Sequence, residues 1–264
     1  MKIETLNIQG GWKIDEINQE ILDKLVPFDL LSLQEVKKVD GIDHADIILS
    51  GLGRGYKAIK WHPTTFAKDK YGRMGNAIFY NTDFNLVSQK FIKIPDYEPN
   101  IFWKVMRFYF IPIQRLALSA VFKKDSHLIR ITNVHLEYSG GQKVRHKQIE
   151  YLLGILEKES VNTDIVLGDF NTLGVIDKRM PELGVFFENG FKLASKSIKF
   201  TAGADSPDPN WFATSWIQFA KKLGFDLRQN LDHVLVKGEV ETKCKKVKIN
   251  SSDHDAVVCE IDFR

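Results

Sequence analysis

Gly168-Asp169-Phe170-Asn171 directly follows the apolar run Asp164-Ile165-Val166-Leu167, so a short buried strand ends in a carboxylate and a carboxamide. Asp and Asn are poor strand-interior residues, and in α/β architectures ligands gather beyond the carboxyl ends of strands. Alone, the tetrapeptide is also an ordinary turn composition. The pattern repeats along the chain, however. Asn7 follows the run Lys2–Leu6, Glu35 ends Asp29–Gln34, His135 lies in the run Leu128–Leu136, Asp232 heads a run to Val236, and Asp253-His254 precede Ala256–Phe263. Loops that happen to be polar do not explain Asp, Asn, Glu and His recurring at strand ends.

The chemistry these residue types suit is hydrolysis of a phosphate ester assisted by a hard divalent cation. Oxygen ligands without thiolates select Mg²⁺ or Mn²⁺ over zinc, and Mg²⁺ takes one or two carboxylates while keeping several waters. A phosphodiester also needs an activated water and stabilisation of the charge that builds on its oxygens. Carboxylate, carboxamide and imidazole supply both. Arg115 and Arg145 are secondary phosphate-binding candidates, because a guanidinium fork matches phosphate geometry. A surface or ion-pair role is the alternative for each. His233 reads as structural and Asp255 as solvated.

These residues need elements to carry them. Lys2–Leu6 alternates as a strand, and Ile14, Ile17, Ile21, Leu22 and Leu25 recur at helical spacing until Pro27 closes the helix. Asp29–Glu35 reads as a buried strand, with weak helical spacing over Ile42–Leu52. Strand-like runs follow at Tyr56–Trp61, Asn76–Tyr80 and Asn85–Ile94, then a hairpin of Arg115–Phe122 with Leu128–Leu136. A helix is expected from Gln142 to Lys158, buried along Val144, Ile149, Leu152, Leu153 and Leu156. A helix-like stretch runs on from the Asp169 strand to about Gly190, and Lys199–Trp216 is loop-rich. Strands close the chain at Leu231–Val236, Glu241–Ile249 and Ala256–Phe263. Hairpins mixed with strand-helix-strand units predict an α/β (α+β) mixed-sheet system with helices outside, not an all-parallel doubly wound fold.

With 264 residues, 44% hydrophobic and 27% charged, the chain can bury a sizeable core. It has no repeat, low-complexity run or long linker, so one domain over 1–264 is expected. A net charge of +3 permits a polyanionic partner without requiring one. Ile101–Ala120, the greasiest stretch, is interrupted by Lys104, Arg107, Pro112 and Arg115, so no transmembrane segment is expected. The N-terminus lacks an uninterrupted apolar run, and a cytoplasmic monomer is the expectation. Cys244 and Cys259 lack metal-ligand spacing and are expected as free, buried thiols in strand-like segments.

The ordered motifs resemble the endonuclease/exonuclease/phosphatase superfamily, with its deoxyribonuclease I-like fold, over nearly the whole chain. Leu6-Asn7-Ile8 is similar to the opening asparagine motif and Leu33-Gln34-Glu35-Val36 to the metal-binding glutamate motif. Asn133-Val134-His135-Leu136, with Arg145 and Gln148 on the next helix, is similar to the His-Leu motif. Gly168-Asp169-Phe170-Asn171-Thr172, Leu231-Asp232-His233-Val234 and Ser252-Asp253-His254 match the remaining signatures. The resemblance implies a four-layer sandwich of two facing mixed β-sheets with helices on the outer faces. It implies Glu35 as main metal ligand with Asn7 beside it and Asp253 near a metal position. It further implies that Asp169 orients or deprotonates the attacking water and Asn171 binds a phosphate oxygen. His254, held by Asp232, would stabilise developing charge, with His135 on the leaving-group side. Where many relatives carry a second Asn or Asp, this chain has Gln9, which favours one metal over two.

Relatives of this kind act on DNA, RNA tails, phosphoinositides, sphingomyelin and protein-linked nucleic-acid ends, and loops choose among such substrates. Pro95–Pro112 interleaves Tyr97, Phe102, Trp103, Phe108, Tyr109 and Phe110 with Lys104 and Arg107, a composition suited to nucleobases, to a membrane interface or to core packing. The acids of Lys199–Trp216 disfavour a polyanion track, and Lys243–Lys248 reads as a solvated strand face. A nuclease acting on DNA or RNA is therefore the first expectation. A lipid or small-molecule phosphoesterase, sphingomyelinase-like or inositol-phosphatase-like, is the second, and a silent binding module a distant third.

Overall fold

Two helical crossovers organise the chain. β1 (Lys2–Asn7) leads through α1 (Ile14–Lys24) to β2 (Leu30–Val39), parallel to β1. β8 (His127–His135) leads through α3 (Gln142–Leu156) to β9 (Thr163–Asp169), again parallel. A parallel neighbour requires such a crossover, and the strands it joins end on the same side. The remaining strands add antiparallel to these two units. With β3 (Ile42–Asp43), β4 (Tyr56–Thr65), β5 (Arg73–Asn81), β12 (Val240–Val247) and β13 (Ala256–Phe263), the first sheet runs β12-β13-β1-β2-β5-β4, and β3 pairs with β2. With β6 (Asn85–Lys93), β7 (Leu116–Lys124), β10 (Lys192–Leu193) and β11 (Asp232–Lys237), the second runs β10-β11-β9-β8-β7-β6. This computed structural model describes residues 1–65, 72–97, 115–138, 140–172, 180–203 and 228–264.

Period-two alternation divides each strand between layers. Ile3, Leu118, Phe122, Ile131, Leu167 and Val234 meet between the sheets. Leu6, Leu31, Leu33 and Phe79 face outward onto Ile17 and Ile21 of α1 and onto Ala45 and Ile48 of α2 (His44–Leu52). Val134, Val166 and Leu235 do the same against Ile149, Leu152 and Leu156 of α3 and Phe186 of α4 (Gly184–Glu188). The result is the helix-sheet-sheet-helix sandwich expected from the motifs. Each such side chain contributes roughly 1.5–3 kcal/mol by leaving water, and no other term in the fold acts over so much surface.

A polar bridge interrupts the apolar interior between the sheets. Asn133 on β8 donates to Leu33 O at 2.9 Å and to Ala77 O at 3.0 Å, and its Oδ1 accepts from Gln34 Nε2 at 2.7 Å. Gln34 also donates to Thr5 Oγ1 at 3.0 Å, and Asn76 donates to Asn133 O at 3.3 Å. Buried carboxamides cost free energy unless paired. Here they tie β1, β2 and β5 to β8 and so fix how the two sheets meet.

Several elements differ from the sequence expectation. β4 continues to Thr65 and β5 begins at Arg73, because backbone pairing carries both past their apolar alternation and around a bulge between Trp61 and Thr64. The helical spacing at Ile42–Leu52 splits into β3 and α2, where Asp43 accepts from Ala45 N at 2.9 Å and caps the helix. After Asp169 the described residues hold a 3₁₀ turn, Pro181–Leu183, and the short α4. Cys244 and Cys259 are disulfide-bonded instead of free, since the β12–β13 register sets them opposite each other with Cα atoms 4.1 Å apart. Asp255, expected to be solvated, is buried and pairs with Lys246 at 2.7 Å. Most of the aromatic segment Pro95–Pro112, and Lys199–Trp216 beyond 203, lie outside the described residues. No helix among those described is long and apolar enough to cross a membrane.

Candidate active site

Parallel pairing brings the ends of β1, β2, β8 and β9 to one edge of the sandwich. Antiparallel pairing then sets Asp232, the first residue of β11, opposite Asp169, the last residue of β9. Glu35 reaches this edge through a β-bulge. Leu33 pairs with Ala77 but Val36 with Gly75, so Gln34 and Glu35 together oppose Asn76. Glu35 takes φ 59°, an unfavourable left-handed conformation that turns its side chain out of the strand alternation. Beside it, Asn7 Nδ2 donates to Glu35 Oε1 at 3.3 Å and to Asp169 Oδ2 at 3.0 Å. Asn7 Oδ1 accepts from Gln9 N at 2.9 Å.

Gly168 explains the residue before Asp169. It has φ 135°, and a Cβ there would lie 2.1 Å from Val134 O, so only glycine lets β9 lie this close to β8. Asp169 Oδ1 accepts from Asn171 N at 2.8 Å, and Asn171 Nδ2 donates to Leu136 O at 2.9 Å. Phe170, between them, points into the core against Phe186 and His233. The strand thus anchors with its aromatic residue and displays its polar pair. Burial pushes the Asp169 carboxyl up to about 7; the His254 charge opposes this and the Asp232 charge adds to it.

His135 lies on the other side of Asp169, its Nε2 3.6 Å from Asp169 Oδ2 and 3.9 Å from Glu35 Oε1. Arg115 Nη1 donates to His135 Nε2 at 2.9 Å, and its Nε faces Glu137 Oε2 at 3.4 Å. Burial, then the charges of Arg115 and His254, hold the His135 pKa well below the ordinary value. The ring is neutral, and because Nε2 accepts from Arg115 its proton sits on Nδ1.

His254 is the opposite case. Its Nδ1 donates to Asp232 Oδ2 at 2.7 Å, and its Nε2 lies 4.0 Å from Asp169 Oδ2 and 3.9 Å from Asp253 Oδ1. Burial alone would lower its pKa, but the charges of Asp232, Asp253 and Asp169 outweigh that and raise it well above the ordinary value. Asp232 itself is buried and receives backbone support, with Leu231 N and Asp232 N both donating to Thr201 Oγ1.

The loop carrying Asp253 and His254 is held from beneath. Ser252 Oγ donates to Asn7 O at 2.7 Å and accepts from His254 N at 3.2 Å. The Glu20 carboxylate on α1 accepts from Asn250 N at 3.1 Å and Ser251 N at 2.9 Å, and pairs with Lys24. Sequence reasoning missed Glu20, Thr201 and the carboxamide bridge below the site. Nothing in their spacing marks them, because each acts through contacts distant in sequence.

A metal could be held in two ways here. Donor atoms of Asp169, Asp232 and His254 all lie within 4.8 Å of one another. The short Asp232–His254 hydrogen bond and the raised His254 pKa give that group a proton to share, and an imidazolium is no ligand. The alternative is the oxygen set of Glu35 and Asp253, which Asn7 would join through Oδ1 once its amide turns over, since Nδ2 faces Glu35 here. Burial and then the Asp253 charge raise the Glu35 pKa, so these carboxylates repel each other. With Asp169 and Asp232 nearby, and His254 as the imidazolium among them, the edge carries excess negative charge. A hard divalent cation fits that charge and those donors.

The model of the Endonuclease/Exonuclease/phosphatase family matches residues 5–254. The chain belongs to that family. Its members are hydrolases of phosphate esters. Asn7, Glu35, Arg115, His135, Asp169, Asn171, Asp232, Asp253 and His254 come together at this edge, whereas Gln148 accepts from Glu137 N and Arg145 lies apart. Arg145 instead occupies its ion-pair alternative. It is buried on α3, where Nε donates to Glu182 at 2.9 Å and Nη1 to Glu137 O at 3.3 Å. Among solved structures, the Bacteroides thetaiotaomicron mannosyl-6-phosphatase Bt3783 matches 100% of both chains with TM-score 0.68 and 16% identity. The human Nocturnin catalytic domain with bound sulfate covers 100% of this chain and 94% of its own, at TM-score 0.67 and 18% identity. D. rerio TDP2 complexed with a single-strand DNA product covers 99% and 98%, at TM-score 0.68 and 14% identity. At such identities the likeness shows the fold. Comparison with curated proteins finds no match.

Proposed function

We propose that this chain is a Mg²⁺- or Mn²⁺-dependent phosphodiesterase acting on DNA or RNA. The observation that carries the reading is the convergence on Asp169 Oδ2 of His135 Nε2 at 3.6 Å and His254 Nε2 at 4.0 Å, beside Glu35. Bound at Glu35, Asn7 and Asp253, the cation would polarise the phosphate and balance charge in the transition state. The chain's own groups do the rest. Asp169 Oδ2, oriented by Asn7 Nδ2, takes the proton of the attacking water, for which a carboxyl pKa near 7 is well matched. His254 stays protonated on Nε2 through Asp232 and donates to a phosphate oxygen as negative charge grows there. Asn171 has a second Nδ2 hydrogen for the same phosphate. Neutral His135, its Nε2 occupied by Arg115, lies on the leaving-group side without a proton to give there, so the leaving oxygen takes its proton from solvent.

The TDP2 complex with a single-strand DNA product supports nucleic acid, as does the chain's mildly basic character. The end-to-end match to mannosyl-6-phosphatase Bt3783 supports a second reading, a small sugar phosphoester. The test is hydrolysis of single- and double-stranded DNA, RNA, sphingomyelin, inositol phosphates and mannose 6-phosphate with Mg²⁺, with Mn²⁺ and in excess EDTA. Cleavage of a nucleic acid only with metal is expected. Full activity in EDTA overturns the mechanism. Turnover of a sugar or lipid phosphate with every nucleic acid left uncut overturns the substrate.

A further inference from the structure

The Asn7 strand continues past the catalytic edge into Gln9–Gly11 and Trp12, and Trp12 is 63% exposed, more than any other large hydrophobic among the described residues. A single exposed aromatic is unremarkable by itself. Its surroundings make this one a built feature. Lys37, two residues beyond Glu35, places its ammonium 4.3 Å from the centroid of the Trp12 ring. The Lys37 stem packs on the turn that follows Asn7, where a Cβ at Gly10 would lie 2.8 Å from Lys37 Cε, so indole and lysine lie beside the proposed metal-binding pair. The turn carrying Trp12 is pressed onto α2: Gly11 has φ 60°, and a Cβ there would sit 2.2 Å from His44 Nδ1. Packing that tolerates only glycine fixes where the indole goes, and Lys37 covers one of its faces. The exposure therefore belongs to the remaining face and edge. Leaving so much indole in water forgoes burial energy, and nothing in the packing of α1 or α2 uses it.

We propose that Trp12 and Lys37 form a nucleobase-stacking subsite, in which the open side of the indole receives the base of a nucleotide flanking the scissile phosphate. The proposal rests on the nucleic-acid reading above and adds the part of the substrate that the phosphate site does not touch. A base has a π-face whatever its identity, so the subsite grips the chain without choosing sequence. Lys37 holds the ring by cation–π attraction and puts positive charge within reach of the neighbouring phosphate.

The test compares a single-stranded DNA oligonucleotide with the same oligonucleotide carrying abasic tetrahydrofuran residues on both sides of the cleaved bond. Trp12→Ala should raise KM on the base-bearing strand by about tenfold with kcat little changed. On the abasic strand it should cost nothing further, because the base that would stack is already gone. Trp12→Phe should recover most of the loss, and melting temperatures of all forms should agree, since the side chain is exposed. An unchanged KM for Trp12→Ala, or an equal loss on both strands, overturns the subsite while leaving the nuclease reading intact. If the wild type cuts no nucleic acid but turns over another phosphoester, the nuclease reading falls and the subsite falls with it.

Discussion

Two histidines a few ångströms from the same aspartate oxygen are held in opposite charge states, and the difference lies in their partners. His135 faces a guanidinium and stays neutral; His254 faces carboxylates and stays charged. The Asp232 contribution is therefore orientation plus charge. We expect Asp232→Asn to lower kcat by about a hundredfold or more while KM changes little, because the imidazolium acts mainly as charge develops. A change confined to KM, or none, would show that His254 does not depend on its partner. Glu35 offers a second residue-scale test. Glu35→Gln keeps the shape and removes the charge, so activity should fall by about a hundredfold or more with the melting temperature retained. Fluorescence-monitored Mn²⁺ binding should weaken in parallel. A variant that binds metal normally would move the metal site elsewhere.

At the scale of elements, the loop between β12 and β13 that carries Asp253 and His254 depends on α1. Glu20 projects from that helix to accept from Asn250 and Ser251 and to pair with Lys24. Burial raises its pKa, but Lys24, Ser251 and the backbone donors outweigh that and lower it to about 2. A folded-state value below the unfolded 4.5 means stability that is present above pH 4.5 and lost as pH falls towards 2. Lys24 is 31% exposed, so solvent screens part of the pairing and the contribution is on the order of 2 kcal/mol. Urea unfolding of wild type and Glu20→Gln should differ by that amount near neutrality, with the difference shrinking steadily below pH 4.5. A gap that stays constant to acid pH would rule out the carboxylate as its source. Because the same loop carries His254, kcat should fall as well.

At the scale of the whole molecule, the two sheets are set against each other by apolar packing and by the Asn133 bridge. Asn133→Leu keeps the volume but takes the donor from Leu33 O and Ala77 O and one acceptor from the Gln34 amide in the buried interior. Unpaired buried groups of this kind make a loss of about 3 kcal/mol the expectation. For a chain of this size that corresponds to a melting temperature lower by roughly 6–12 °C. A calorimetric shift under about 2 °C would mean that packing alone fixes the sheets. The sandwich class was legible because strand alternation and the α1 and α3 stripes are local signals, repeated every two or every three to four residues. The cluster at the sheet edge was legible because Asn7, Glu35, His135, Asp169, Asn171, Asp232, Asp253 and His254 are polar where strand energetics disfavour them. Arg145 was not, since a guanidinium on a helix looks the same in sequence whether it meets a phosphate or, as here, Glu182. The Cys244–Cys259 bond, the Glu35 bulge and the Glu20 anchor were hidden for a related reason. Each depends on register or on contacts between elements, and no local pattern encodes which strand residue will stand opposite which. The amino-acid sequence by itself therefore determined the layers and the polar residues at their edge. Tertiary structure decided how Glu35, His135, Asp169 and His254 are charged, because burial and partners brought from elsewhere in the chain shift each of them.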